Sequence, residues 1–144
     1  MGDLYEAYVS QDGVAWMIGC HPQDDVVAKV ASDLIKRLQG VRALGPLYGQ
    51  DTGRPIKKLE AFDNLWESRV RHKTGWYRQF FRFTPIAGRS AAVFISAAVF
   101  INGAVKKGNN LPRHVLEAAE RRLHAYTAAL AASPTLQEAD RVKK

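Results

Sequence analysis

Residues Leu65 to Thr84, LWESRVRHKTGWYRQFFRFT, constrain the fold more than any other stretch. Two aromatic, apolar runs flank a short polar turn, and arginines interrupt both. Side chains of an extended strand alternate between two faces. The first run therefore puts Trp66, Ser68 and Val70 on one face and Glu67, Arg69 and Arg71 on the other. In the second, Trp76, Arg78, Phe80 and Arg82 share a face opposite to Tyr77, Gln79, Phe81 and Phe83. The spacing predicts a β-hairpin, with Gly75 supplying the positive φ such turns often need. Arginines between aromatics on an extended surface can grip phosphates and stack on bases. The same pattern equally describes an antiparallel sheet with one solvated, charged face.

The rest of the chain supplies the layers around this hairpin. Two β-prone pieces, LYEAYV and VAWMIGC, are separated by Asp12-Gly13, a turn signal that predicts an N-terminal strand or hairpin. Pro22, Asp24 and Asp25 mark a helix start, since early carboxylates accept from free N–H groups. Val26, Val27, Val30, Ala31, Leu34 and Leu38 form its apolar stripe, with Gly40 as the expected C-cap. Gly and Pro punctuate 41–55 as a loop, in which Val41–Leu44 could form a short helix. IKKLEAFDN follows, opening with a brief strand that carries Lys57 and Lys58. After the hairpin and a PIAGRS turn, AAVFISAAVFING reads as a central strand buried on both faces. Pro112 opens a second long helix, with Val115, Leu116, Ala119, Leu123, Tyr126 and Leu130 on its inner stripe. Helices packed on a small, mainly antiparallel sheet make an α+β fold. A single domain over 1–132 is expected, followed by a tail, 133–144, that is disordered or a short helix.

At 144 residues and 47% hydrophobic, the chain suits one globular domain. A single cysteine, Cys20, excludes an internal disulfide framework and a multi-cysteine metal site. No signal peptide or bilayer-spanning run is evident, so a cytoplasmic protein is expected. The net charge of +7 is unevenly placed. From Arg54 to Lys107 eleven basic residues face three acids, giving +8; the remaining ten and eleven give −1. A basic surface concentrated around the hairpin suits a polyanion, or an acidic protein.

Four pieces in order carry a resemblance. Leu65, Trp66, Glu67, Arg69 and Val70 fit L-W-E-x-R-V, and Tyr77, Arg78 and Phe81 fit Y-R-x-x-Y/F. Lys106 and Lys107 fit the lysines that end the following strand. Pro112, Ala119, Glu120 and Arg122 fit a helix of the A-E-x-R type. Over about Ala15 to Tyr126 the chain resembles the HigB-like branch of the RelE/ParE toxin superfamily, found in phages and in bacterial toxin–antitoxin pairs. The resemblance implies a RelE-like fold and a ribosome-dependent mRNA endonuclease. In that chemistry the 2′-OH attacks the adjacent phosphate, with no metal and no cofactor. The chain shows no clustered His, Cys or acidic ligand set, which is compatible with that route.

The resemblance implies catalytic roles for Arg78, Arg69, Lys106 and Lys107. Arginine's bidentate fork suits phosphate, and lysines beside a helix start favour anions. His72, in the hairpin turn, is a candidate proton-transfer group, and His114 a lesser one. Arg71, Tyr77, Lys57 and Lys58 are the candidate substrate contacts, and Arg82 reads as a solvated charge. For the arginines the competing expectation is a cross-strand ion pair with Glu67. The implied partners are mRNA on the ribosome and a helix-turn-helix antitoxin. Two alternatives stay open: a non-catalytic phage protein that binds a host protein or nucleic acid through its basic sheet, and a gyrase-directed toxin of the same fold.

Overall fold

The computed structural model describes residues 3–10, 16–18, 24–50, 55–72, 75–102 and 113–143. Among these residues six strands form one mixed sheet: β1 (Glu6–Val9), β2 (Trp16–Ile18), β3 (Ile56–Lys58), β4 (Trp66–His72), β5 (Gly75–Phe83) and β6 (Ala91–Asn102). The helices are α1 (Asp24–Leu44), α2 (Arg113–Ala132) and α3 (Pro134–Asp140), with a 3₁₀ helix over Gly45–Gln50. The sheet order is β1-β6-β5-β4-β3. The β3–β4, β4–β5 and β5–β6 pairs are antiparallel. The architecture is the α+β fold expected from the sequence, with helices packed on the sheet.

Alternation along the strands divides the core in two. Leu65, Phe80, Val93 and Ile95 join Tyr8 and the α2 residues Val115, Ala119, Leu123 and Leu130. Ala7, Ile56, Phe81, Ala92 and Phe94 instead pack with Leu38 and Val41 of α1. The sheet thus lies between α1 on one face and α2 on the other. The Phe81 and Phe94 rings stack with centroids 4.6 Å apart. Burying one such side chain contributes about 1.5–3 kcal/mol. Ala91–Ile95 are all buried, as a central strand requires.

Three sequence expectations need correction. Of the strand-or-hairpin alternatives for the N-terminal pieces, the strands form but the hairpin does not, among the described residues. β1 and β2 both run parallel to β6, Glu6 opposite Ala91 and Trp16 opposite Val99. The long β6 offers them a continuous edge, and that long-range pairing outweighs a local turn signal. Asp12-Gly13, like Cys20, lies outside the described residues. Second, α1 does not stop at Gly40. Val41 extends the buried stripe, and the helix ends at Gly45, whose φ of +60° is the left-handed C-cap conformation. A Cβ at Gly40 would overlap the Tyr48 ring, so this glycine serves close packing. Third, the HKTG turn is where the sequence puts it, but Gly75 closes it opposite His72 rather than standing at a central, positive-φ position. The two turn residues lie outside the described residues.

The next turn is fully visible. Ile86 and Arg89 exchange backbone hydrogen bonds of 2.9 and 3.1 Å. Between them Ala87 and Gly88 have φ of 53° and 77°, the geometry of a type I′ hairpin turn. The segment after α2 forms a capped helix. The Ser133 hydroxyl accepts from Leu136 N–H, and Pro134 opens α3 without a donor to lose. Tyr126 donates to Asp140 at 2.7 Å, and Val142 N–H donates to the Ala7 carbonyl at 2.8 Å. These contacts hold the end of the chain against β1.

Candidate functional site

The β4–β5 register puts Arg69 directly opposite Arg78, with Glu67 opposite Phe80. Cβ atoms of opposed residues lie about 5 Å apart, so two guanidiniums there repel. Glu67 offsets that repulsion. It is two residues from Arg69 on β4 and therefore on the same face. One carboxylate oxygen lies 3.5 Å from Arg78 Nε and the other 3.9 Å from Arg69 Nε. A single carboxylate thus bridges both cations.

Burial separates the three. The side chains of Arg78, Glu67 and Arg69 are 1%, 4% and 19% exposed. The row that the sequence leaves open between solvated surface and ligand contact is neither throughout. Its inner part is a buried ion pair beside the Leu65 and Phe80 core, and Arg69 is its least buried member. Burial pushes the Arg78 guanidinium below its ordinary pKa; Glu67 opposes that shift and Arg69 adds to it. Arginine starts so high that it stays charged. The competing expectation of a cross-strand pair with Glu67 is therefore realised for Arg78.

Other candidates fall around this cluster. Lys57 lies opposite Glu67 on β3 and Lys58 opposite Trp66, and both are exposed. Backbone pairing sets Arg71 opposite Trp76, and His72 opposite Gly75 at the hairpin end. Tyr77 pairs with Val70, one step off the row of Arg69 and Arg78. Lys106 and Lys107 lie outside the described residues. His114 is exposed at the start of α2. Arg82 is partly buried rather than solvated, its Nη1 3.3 Å from His124 Nδ1. The feature that sequence reasoning undervalued is Glu67 as a bridge. Its signal is the Glu-x-Arg spacing on a strand opposite a second arginine.

The segment 28–124, which contains this cluster, matches the model of one family, described as phage derived protein Gp49-like (DUF891). The chain belongs to the Gp49-like family. This family is associated with toxins of the RelE/HigB type. No curated protein and no solved structure gives a significant match. The Gp49-like segment runs from within α1 into α2 and includes β3 to β6, hence Glu67, Arg69 and Arg78. β1, β2 and α3 lie outside it. Among the described residues, no helix is long and apolar enough to cross a membrane.

Proposed function

We propose that this Gp49-like protein is the toxin of a toxin–antitoxin pair and cleaves mRNA on the ribosome, as HigB-like toxins do. The observation that carries the reading is the opposed Arg69–Arg78 pair bridged by Glu67, within a family associated with such toxins. In the proposed reaction the 2′-oxygen forms a bond to the adjacent phosphorus. The bond to the 5′-oxygen breaks, the 2′ proton leaves, and the departing oxygen takes one up. The products are a 2′,3′-cyclic phosphate and a 5′-OH. Arg69, the least buried of the three side chains, faces the charge that develops on the phosphate. Glu67 and Arg78 fix its position. Lys57 and Lys58 hold the RNA backbone, with Arg71 and Tyr77 as further contacts. Lys106, Lys107 and His72 are the candidates for additional charge stabilisation and proton transfer. The partner that silences it is a helix-turn-helix antitoxin.

Expression of the wild type should arrest growth, with new RNA 5′ ends at ribosomal A-site codons mapped by primer extension. Arg69→Ala should abolish both and keep the fold. Harmless expression of a folded wild type would end the nuclease reading.

The burial of Arg78 favours a second reading, a non-catalytic binding protein. A cation with 1% exposure reaches a phosphate only if β4 and β5 rearrange. Under this reading the basic sheet holds a host protein or nucleic acid, and the purified protein retains its partner without cutting RNA.

A further inference from the structure

At the opposite end of the sheet from Arg78, β1 meets the end of α1. Tyr5 N–H donates to the Arg42 carbonyl at 3.0 Å, and the Tyr5 ring packs over Gly45, where a Cβ would overlap it. Three leucines lie within two residues of this contact. Leu4, Leu44 and Leu47 are 61%, 41% and 57% exposed, three of the four large apolar side chains so exposed among the described residues. Beside them opens a cleft of about 610 Å³ that Leu4 also lines. Four cations, Arg42, Arg89, Arg141 and Lys143, line it against two carboxylates, Asp3 and Glu6.

Solvent-exposed leucines are ordinary singly; grouped beside charge they mark a protein-binding surface. We propose that this end of the molecule docks an acidic amphipathic segment of a partner protein. The partner's apolar side chains cover Leu4, Leu44 and Leu47, and its carboxylates enter the cationic cleft. With Glu138 counted, four cations face three carboxylates, and this residual positive charge selects an acidic occupant. Each cation of the cleft already has a carboxylate nearby: Asp3 for Arg42 at 3.3 Å, Glu6 for Arg89 at 3.2 Å, and Glu138 for Arg141 and Lys143 at 2.9 and 3.0 Å. The pairs of Arg89, Arg141 and Lys143 are solvent-exposed and therefore weak, so an incoming carboxylate displaces or shares them readily.

The surface is separate from the candidate site. Arg89 lies in the turn before β6, whereas on β5 Arg78 is five residues from Phe83, which faces Ala92 near the start of β6. At strand spacing that separation is roughly 17 Å. A partner bound here leaves the β4–β5 face open, and the inference does not rest on the nuclease reading. The surface also joins Gp49-like residues to parts of the chain outside the matched segment.

Fluorescence anisotropy with a labelled helical peptide of about 18 residues, leucines on one face and glutamates on the other, tests it. The peptide should bind about tenfold tighter than its lysine-for-glutamate counterpart. Leu4→Ser with Leu47→Ser should weaken binding about tenfold, as should Arg89→Glu with Lys143→Glu. A control of equal charge change, Lys29→Glu with Arg121→Glu, should leave it unaltered. Circular dichroism and melting temperature check that each variant folds. Three results would overturn the proposal: no binding of the acidic peptide, equal loss in the control, or sedimentation showing that a second copy of this chain occupies the leucine surface. RNA cleavage is a separate assay and can fail or succeed independently.

Discussion

Arg78 is a cation with almost no surface, and its environment decides what can be asked of it. Desolvating a guanidinium is expensive, and the pair with Glu67 offsets much of that penalty. Removing one partner of a buried pair leaves the other uncompensated, a loss of about 3–5 kcal/mol. Arg78→Ala should therefore destabilise the protein by that order, read as a lower urea midpoint. Arg69→Ala, at a less buried side chain and with Glu67 still paired to Arg78, should destabilise less than Arg78→Ala. Replacing both members of the inner pair, Glu67→Gln with Arg78→Met, should recover part of the loss. A small effect of Arg78→Ala alone would contradict a structural role for the pair. The contrast also guides functional mutagenesis: Arg69→Ala tests chemistry in a folded protein, whereas inactivity of Arg78→Ala first needs a check of folding.

Among the elements, those governed by local periodicity were legible in the sequence. Alternation along each strand grouped Arg69 with Glu67 and Arg78 with Phe80, and the observed register puts the two groups on one face. The 3.6-residue stripe of α2 placed Val115, Ala119, Leu123 and Leu130 inward, and all four are buried. What alternation does not tell is which element covers a face, so the burial of Glu67 was not legible. Nor was the parallel docking of β1 and β2, which depends on a strand more than 70 residues away. Gly40 was misread because a glycine late in a helical pattern resembles a cap, whereas here it admits the Tyr48 ring. This element carries a test with competing signs. Gly→Ala inside a helix gains about 1 kcal/mol from propensity, while overpacking loses about 1–3 kcal/mol. Gly40→Ala should thus lower the melting temperature. In a Tyr48→Ala background the same change should become neutral or stabilising. Equal effects in both backgrounds would show that the ring does not decide the outcome.

Across the whole molecule, the two ends of the chain close one sheet edge. Val142 N–H bonds Ala7, Arg141 bridges Tyr8, and Leu136 packs against the α2-side core. Asp140, 4% exposed, accepts from Tyr126, and the Gln137 amide donates to the Leu130 carbonyl at 2.9 Å. Ending the chain after Ala132 removes these together. One partly buried leucine and a few hydrogen bonds amount to about 2–4 kcal/mol. For a domain of this size each kcal/mol shifts the melting temperature by about 2–4 °C, so a fall of roughly 5–15 °C is expected. The loss should also be local. Tyr8 and Ser10 sit on the strand that the tail covers, so their amides should exchange faster in the truncated protein, while amides of the β4–β5 pair keep their relative protection. A truncated chain that melts like the full one, or loosens uniformly, would show that the tail merely rests on the sheet. A local loss would mean that α3 and β1 can loosen without disturbing Glu67, Arg69 and Arg78. The end of the sheet that bears the leucine surface could then change while the β4–β5 face keeps its geometry.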